Sequence, residues 1–467
     1  MIKVSRGARY IAIEILCSWE ERHLPLNQVM EHHLANMAPR DPRDRQLIMS
    51  IVYGVIRWRG YLDWVVEKFS THSLSKIQKK TLQALRIGIF QLLFLDRIPA
   101  SAAINETVQA LTDMKQPRWL SGFTNGILRS VDRKRPDLPH PLVAKNIDAL
   151  PETALLSHPE WLIKRWKSRY GNAQAKSLCT KNNTPAPISL RVNTTVTTPS
   201  ALLAILRKEG LNATAGKYCP LALKLEAYNG PITAIPGFAD GLFQVQNEAA
   251  QLVSFLLGPL QPGKSYLDGC AGLGGKTSHL VQMLPSGSRL VAIEPNSERI
   301  KKLKENLARL RQGTTVTIVE GMLGSLLPHN KDKFAGVLID APCSGLGVIR
   351  HNPDIRWNRS PDDLLRYQEK QIHLLQDAEQ LVAPQGVLVY ATCSTEPEEN
   401  EEVIKKFLAS YPTFTLSGCR EQLPESATCL VNNQGFFRTL PGQDDLDGFF
   451  AARLIKSNEK LKMQNAK

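Results

Sequence analysis

Residues 266–277 read YLDGCAGLGGKT, an apolar run closed by an acidic residue and followed by glycines at 269, 272, 274 and 275. Tyr266 to Asp268 suit the end of a buried strand and Lys276 opens an amphipathic stretch, so the pattern predicts a strand, a tight loop and a helix. Gly272, Gly274 and Gly275 let the backbone approach a ligand closely and turn its N–H groups outward at the helix N-terminus. A pyrophosphate loop would space its glycines G-x-G-x-x-G, whereas these fall as G-x-x-G-x-G-G.

Working outward, residues 260–455 alternate strand-like and helix-like segments: SYLDGCAG, RLVAIEP, TVTIVEG, AGVLIDAP and GVLVYATCS are separated by helical stretches, and GFFAARL closes the series. Such alternation predicts a Rossmann-like α/β domain, a mostly parallel sheet covered on both faces, with ligands at the carboxyl ends of the strands. Asp268 on the first strand and Glu294 at the end of the second suit a ligand carrying an amine and a ribose diol. Joined to the glycine spacing, they favour S-adenosylmethionine over a dinucleotide. The candidate binding set is the loop Cys270, Ala271, Gly272, Leu273, Gly274, Gly275 and Lys276 with Glu294; Cys270 reads as a packing residue of that loop.

Two further strand ends carry thiols, VLIDAPCSG at 337–345 and LVYATCSTE at 388–396. A free cysteine is usually a small buried hydrophobe, but two at adjacent strand ends beside a glycine loop ask for a chemical reason. Carbon 5 of cytosine is too weak a nucleophile to attack a methyl sulfonium. Thiolate addition at carbon 6 makes it an enamine, provided that charge at N3 is met by a proton or hydrogen bond and that a base later removes the carbon 5 proton. Asp340, Cys343 and Cys393 supply a carboxyl group and two thiols for that sequence of steps.

The other regions differ in texture. Residues 1–140 carry helical periodicity, with Ile11, Ile15 and Trp19, then Leu47, Ile51, Val55 and Trp58, then Leu82, Leu85, Ile89 and Leu92, predicting an all-α domain. Prolines at 136, 139 and 141 predict its end. Residues 141–240 read as a small α+β domain with a strand at ISLRVN, residues 241–456 as the catalytic domain with Asn247 capping its first helix, and 457–467 as a basic tail.

The chain has 467 residues and a net charge of +14. Residues 1–140 hold 21 Lys and Arg against 13 Asp and Glu, or +8, leaving +6 for the rest. A basic helical front favours a polyanionic partner, nucleic acid before membrane. The most apolar run, IGIFQLLFL at 87–95, is far shorter than the roughly 20 residues a membrane span needs. Eight scattered cysteines without a C-x-x-C pair imply no metal site and a reducing, cytoplasmic setting.

Long ordered blocks carry a family resemblance: RDRQLIMSIVYGVIRW, LRIGIFQLLFLDRIPASAAINETV, SHPEWLIKRW, SLRVN, DAPCSGLGVIRHNPDIRW, YATCSTEPEENE and DGFFAAR. Over nearly its whole length the chain resembles bacterial RNA cytosine-5 methyltransferases that modify 16S ribosomal RNA. The resemblance implies a NusB-like RNA-binding domain, a small intermediate domain and an S-adenosylmethionine-dependent catalytic domain. It also implies a monomer acting on 16S ribosomal RNA or a partly assembled small subunit, with Cys393 as nucleophile, Cys343 assisting product release, Asp340 contacting the base and Lys276 between cofactor and substrate. Two positions depart from the family pattern. Leu273 stands where a proline is usual, and Met322 replaces the aspartate that accepts from the adenine amino group, leaving Glu320 or backbone for that contact. Arg356 and Trp357 read either as RNA contacts or as anchors of their loop. Arg40, Arg43 and Arg45, interleaved with Asp41 and Asp44, read as a solvated salt-bridged face before a phosphate site. Three other readings remain at this level: a DNA cytosine methyltransferase using the Pro-Cys thiol, a non-catalytic RNA-binding scaffold, and a nicotinamide dehydrogenase.

Overall fold

Apolar side chains spaced three and four apart set the first part of the chain. In the computed structural model, which describes residues 6–22, 24–36, 41–143, 147–313, 316–327 and 333–458, helices occupy Ala8–Arg22, Leu26–Asn36, Pro42–Arg57, Arg59–Phe69, Lys79–Phe94, Ala100–Asp113 and Arg118–Lys134. Ile11, Ile15, Trp19, Ile51, Val55, Trp58, Leu85, Ile89 and Leu92 meet in one core, while Leu47 and Leu82 are half-buried at its edge. Asp41 caps the third helix by accepting from Arg43 N at 2.7 Å, and its carboxylate pairs with the exposed Arg43 guanidinium at 3.0 Å. Arg40 and the basic stretch 459–467 lie outside the described residues.

The chain forms two compact units, one running to Pro185 and including Ile349–Arg359, the other comprising Ala186–Val348 and Ser360 onward. Residues 141–240 contribute to both: the helices Glu152–Leu156 and Glu160–Asn182 join the first unit and the following strands the second. The excursion 349–359 is built into the first unit by hydrogen bonds. Arg356, fully buried, donates to Ser157 O at 3.0 Å, Asn182 O at 3.2 Å and Asn183 Oδ1 at 2.5 Å. Burial lowers its guanidinium to about 9. Trp357 Nε1 donates to Ile56 O at 2.8 Å, and Asp354 accepts from Leu26 N at 3.1 Å. Arg356 is therefore an anchor of its loop, buried against three acceptors inside the unit, and Trp357 is tied to the same unit through its ring nitrogen while its ring stays half-buried.

The second unit contains two sheets. β1 (Ile188–Val192), β2 (Ala213–Ala215), β3 (Ala222–Leu225) and β4 (Phe243–Val245) form an antiparallel sheet in the order β2-β3-β1-β4. β5 (Ser265–Asp268), β6 (Arg289–Glu294), β7 (Val316–Glu320), β8 (Phe334–Asp340), β9 (Val382–Thr392), β10 (Phe414–Ser417), β11 (Phe437–Thr439) and β12 (Phe449–Lys456) form the larger one. Its order is β10-β12-β9-β8-β5-β6-β7, with β11 also on β12. β5 to β9 pair in parallel, whereas β12 runs antiparallel to β9, so the expected parallel sheet carries an antiparallel edge. The strand order reverses at β5, where chain from β6 and β8 diverges and leaves the crevice in which such sheets bind ligands. Among the described residues no helix is long and apolar enough to cross a membrane.

Removing the Arg356 side chain leaves two backbone carbonyls and an amide oxygen without their donor, each orphaned acceptor costing about 1–3 kcal/mol. Arg356→Ala should therefore destabilise the protein by about 3 kcal/mol or more, measured by urea denaturation. Unchanged stability with weakened RNA binding would instead return this residue to the RNA surface.

Candidate active site

At the carboxyl end of β5 the fully buried Asp268 accepts from Thr277 Oγ1 at 2.7 Å and from Cys270 N at 3.3 Å, tying the loop to the helix that follows it. Burial raises the Asp268 carboxyl to about 6 in spite of the Thr277 hydroxyl. The loop turns through left-handed backbone at Gly272 (φ +56°) and Gly274 (φ +85°), which serves as N-cap of the helix Gly275–Met283. A Cβ at Gly274 would stand 2.4 Å from Leu303 Cδ1, while at Gly272 it would meet open space. Glu294, at the end of β6, is buried and accepts from Gly272 N and Asn296 N, each at 3.0 Å. Its first task is thus to hold the glycine loop against the next strand. Leu273 and Met322 are exposed, at 47% and 64%, so neither stiffens the loop nor offers a side-chain acceptor.

The intermediate sheet reaches into this loop. Arg191, in the middle of β1 and fully buried, donates to Gly275 O at 2.5 Å, Ser278 Oγ at 2.6 Å and Gln246 Oε1. Two residues on, Asn193 Nδ2 donates to Gly241 O at 2.9 Å and Leu310 O at 3.0 Å. SLRVN, read only as a strand from its sequence, carries the donors that fix the first turn of the helix after the glycines. An arginine in an otherwise apolar strand was the available signal.

Lys276, on that first turn, points across to β8 and donates to Asp340 Oδ2 at 2.5 Å, its ammonium 5.6 Å from the centre of the Phe449 ring. The sequence reading placed both residues at one site, and they form an ion pair there. Asp340 remains one-third exposed.

β8 and β9 pair with Asp340 opposite Ala391, so the chain leaves both strands at one level. Cys343 and Cys393 then stand with their sulfur atoms 3.2 Å apart. The hydrogen bond with Cys393, burial, and the charges of Cys393 and Glu399 push the Cys343 thiol well above its ordinary value, so Cys343 keeps its proton, and either sulfur can donate in the pair. Cys17, Cys179 and Cys219 are buried elsewhere, each pushed up to about 12 by burial, which leaves them inert packing residues. Backbone contact joins the loops: Gly347 N donates to Cys393 O at 2.9 Å and Gly448 N to Gly347 O at 2.8 Å, an approach that a Cβ at Gly347, 2.0 Å from Gly448 O, would prevent. Beneath the thiols lies Glu399, fully buried, which accepts from Ser344 N at 2.7 Å and from the hydroxyls of Ser344 and Ser394 at 2.5 Å each. Neither serine nor Glu399 was singled out from the sequence, where they read as flanks of the cysteine motifs.

Three family models match the chain: the NusB family over residues 6–133, a ferredoxin-like domain of RsmF/B-like methyltransferases over 158–232, and 16S rRNA methyltransferase RsmB/F over 255–455. The chain is 34% identical over 414 residues to ribosomal RNA small subunit methyltransferase B of Salmonella paratyphi B and of Salmonella typhi, 89% of this chain and 91% of theirs. Among solved structures, PH0851 is similar with a TM-score of 0.77 at 24% identity, covering 97% of this chain and 100% of that one. A methyltransferase homologue from Pyrococcus horikoshii has a TM-score of 0.55 at 27% identity, covering 65% of this chain and 97% of its own.

Because the Asp268 carboxyl is raised to about 6, the folded protein holds a proton there that the unfolded chain has already released. Its contribution is greatest below the unfolded value near pH 4 and is lost as pH rises through about 6. Asp268→Asn should abolish that dependence. Between about pH 4 and 6.5 the wild type should lose on the order of 2–3 kcal/mol relative to the variant in denaturant titrations.

Proposed function

Since this chain belongs to the RsmB/RsmF family of 16S rRNA methyltransferases, we propose that it transfers a methyl group from S-adenosylmethionine to carbon 5 of a cytosine in 16S ribosomal RNA, through a covalent cysteine–cytosine adduct. The observation that carries this reading is the pair of thiols 3.2 Å apart at neighbouring strand ends, in the same sheet as the Lys276–Asp340 ion pair.

The residues around the crevice fit the methyl donor. Open space at Gly272, where any Cβ would intrude, makes the loop a cradle. Cys270 to Lys276, Glu294, Met322 and Asp340 are the residues that would hold the donor, with backbone near Met322 or the Glu320 carboxylate serving the adenine edge. When bound, it supplies an electrophilic methyl on sulfonium. The protein's own part is to make carbon 5 nucleophilic. Cys393 adds to carbon 6 of a cytosine taken out of its stack, since a thiol cannot reach that atom within a helix. Asp340, accessible from the crevice, takes a proton from the Lys276 ammonium at 2.5 Å and passes it to N3 as charge develops there, which leaves Lys276 neutral until the proton returns. After transfer a base removes the carbon 5 proton and Cys393 must depart as thiolate. Cys343, holding its proton beside the leaving sulfur, donates a hydrogen bond to it. The basic helical front, +8 over residues 1–140, suits RNA as partner.

Cys393→Ala should abolish methylation and leave no covalent adduct, whereas Cys343→Ala should permit methyl transfer and accumulate a denaturant-resistant protein–RNA complex, both read by detergent electrophoresis with labelled RNA. The reverse pattern would make Cys343 the nucleophile, as in a DNA cytosine methyltransferase.

Calorimetry should detect binding of S-adenosylmethionine and of its demethylated product, and no binding of NADH. Met322→Asp should tighten donor binding by about two- to twelvefold, the worth of one added hydrogen bond of about 0.5–1.5 kcal/mol. No change would show that backbone or Glu320 already satisfies the adenine.

A further inference from the structure

The two thiol loops are joined beneath the sulfur atoms by one buried side chain. Glu399 sits in the 3-10 turn Pro397–Glu399, six residues beyond Cys393, and has no exposed surface. One carboxylate oxygen accepts from Ser344 N at 2.7 Å and from Gln371 Nε2 at 3.2 Å; the other accepts from Ser344 Oγ and Ser394 Oγ at 2.5 Å each. Ser344 follows Cys343 and Ser394 follows Cys393, so each thiol's next residue is held by the same carboxylate. Ser344 Oγ also accepts from Leu346 N at 3.4 Å and Ser394 Oγ from Glu396 N at 3.1 Å, and both hydroxyls reach Glu399, which as a carboxylate can only accept. The two serine oxygens are 3.2 Å apart, the same separation as the two sulfur atoms above them. Gln371 also donates to Pro342 O at 3.0 Å, bracing the Cys343 loop from its other side.

We infer that Glu399 is a positioning residue that sets the Cys343–Cys393 spacing by clamping the serine that follows each cysteine, and that it thereby governs release of the product from Cys393. The second clause rests on the function proposed above; the first does not. Glu399 makes no hydrogen bond to either sulfur; it reaches them through the two loops and, at Cys343, through its charge, which the double serine variant leaves in place. A carboxylate suits the position because it accepts from four donors at once, whereas an amide of the same shape keeps one accepting oxygen and must turn an NH2 group toward part of that donor set.

The experiment compares the full-length wild type with Glu399→Gln and with the double variant Ser344→Ala/Ser394→Ala, which removes only the two hydroxyls. One readout is independent of methylation: oxidised dithiothreitol converts the adjacent thiols to an intramolecular Cys343–Cys393 disulfide, its own disulfide being reduced to the dithiol, and peptide mapping by mass spectrometry gives the rate. The other is the fraction of RNA held as covalent adduct at steady state. Misplacement of reacting groups by about 1 Å costs up to about 100-fold. Both variants, measured well below their melting temperatures, should therefore close the disulfide about 10- to 100-fold more slowly and accumulate adduct as Cys343→Ala does. Folded variants that form the disulfide at the wild-type rate would overturn the clamp. Slowed disulfide closure with wild-type adduct turnover would uphold the spacing role and overturn its part in release. If Glu399→Gln does not fold, the double serine variant decides by the same two measurements. A wild type that transfers no methyl group would remove the proposed function, and the disulfide rates would still decide the spacing role.

Discussion

The site depends on one pairing, the parallel register that sets Asp340 of β8 opposite Ala391 of β9. Both strands end in the sheet's carboxyl crevice, and the backbone contact continues one residue further, Ala341 N donating to Ala391 O at 2.8 Å. From there each chain needs only two or three residues to reach its cysteine. Side chains alternate along a strand, so a slip of one residue would turn every side chain of one strand to the opposite face and part the two thiols. Register is held by burial on both faces: Val337, Leu338 and Ile339 on β8 and Leu388, Val389 and Tyr390 on β9 have essentially no exposed surface. The apolar runs VLI and LVY that precede the cysteines thus do the positioning before any polar group acts.

Polar interactions then refine what burial has placed. Glu294 and Glu399 resemble each other in this respect. Glu294 closes β6 and Glu399 lies in the turn that follows β9; each is a buried carboxylate that accepts a backbone N–H from a neighbouring loop. Hydrogen bonds to the charged form offset the cost of taking the carboxylate out of water, and that cost is why such groups are seldom buried without a full set of donors. Arg191 is the cationic counterpart. It is buried with carbonyl, amide and hydroxyl acceptors in place of a carboxylate, and burial lowers it to about 9. Its donors hold the first turn of the helix that carries Lys276, which links the geometry of the small antiparallel sheet to the ion pair at Asp340.

The path of the chain between the two cysteines adds a further constraint. After Val348 it leaves the catalytic unit, is fixed into the helical unit from Ile349 to Arg359, and returns to form the helix Pro361–Leu381 before entering β9. Parallel strands require such a crossover, and the helix supplies it. The added excursion makes eleven residues of the cysteine motif part of the helical unit's core, through Asp354, Arg356 and Trp357.

Read alone, the sequence marks out the elements of the fold. Period-3.6 and strand-like apolar runs mark the helical front and the alternating α/β region, Asn247 marks its cap, and the glycine spacing marks the loop, because these are local consequences of backbone geometry. It also sets Asp340, Cys343 and Cys393 at neighbouring strand ends, since strand ends of a doubly wound sheet share one edge, while Lys276 joins them through the family resemblance. What it leaves open is decided by contacts between residues distant along the chain. Arg356 and Trp357 had two readings, and only contacts with residues 157–183 and Ile56 tied them into the helical unit. Glu294 reads as a ligand group, and the packed structure adds that its oxygens accept from Gly272 N and Asn296 N. Ser344, Ser394 and Glu399 carry no periodic or compositional signal. Their roles arise from hydrogen bonds made after strands up to fifty residues apart have paired, and a hydrogen bond's direction and length belong to the packed state alone.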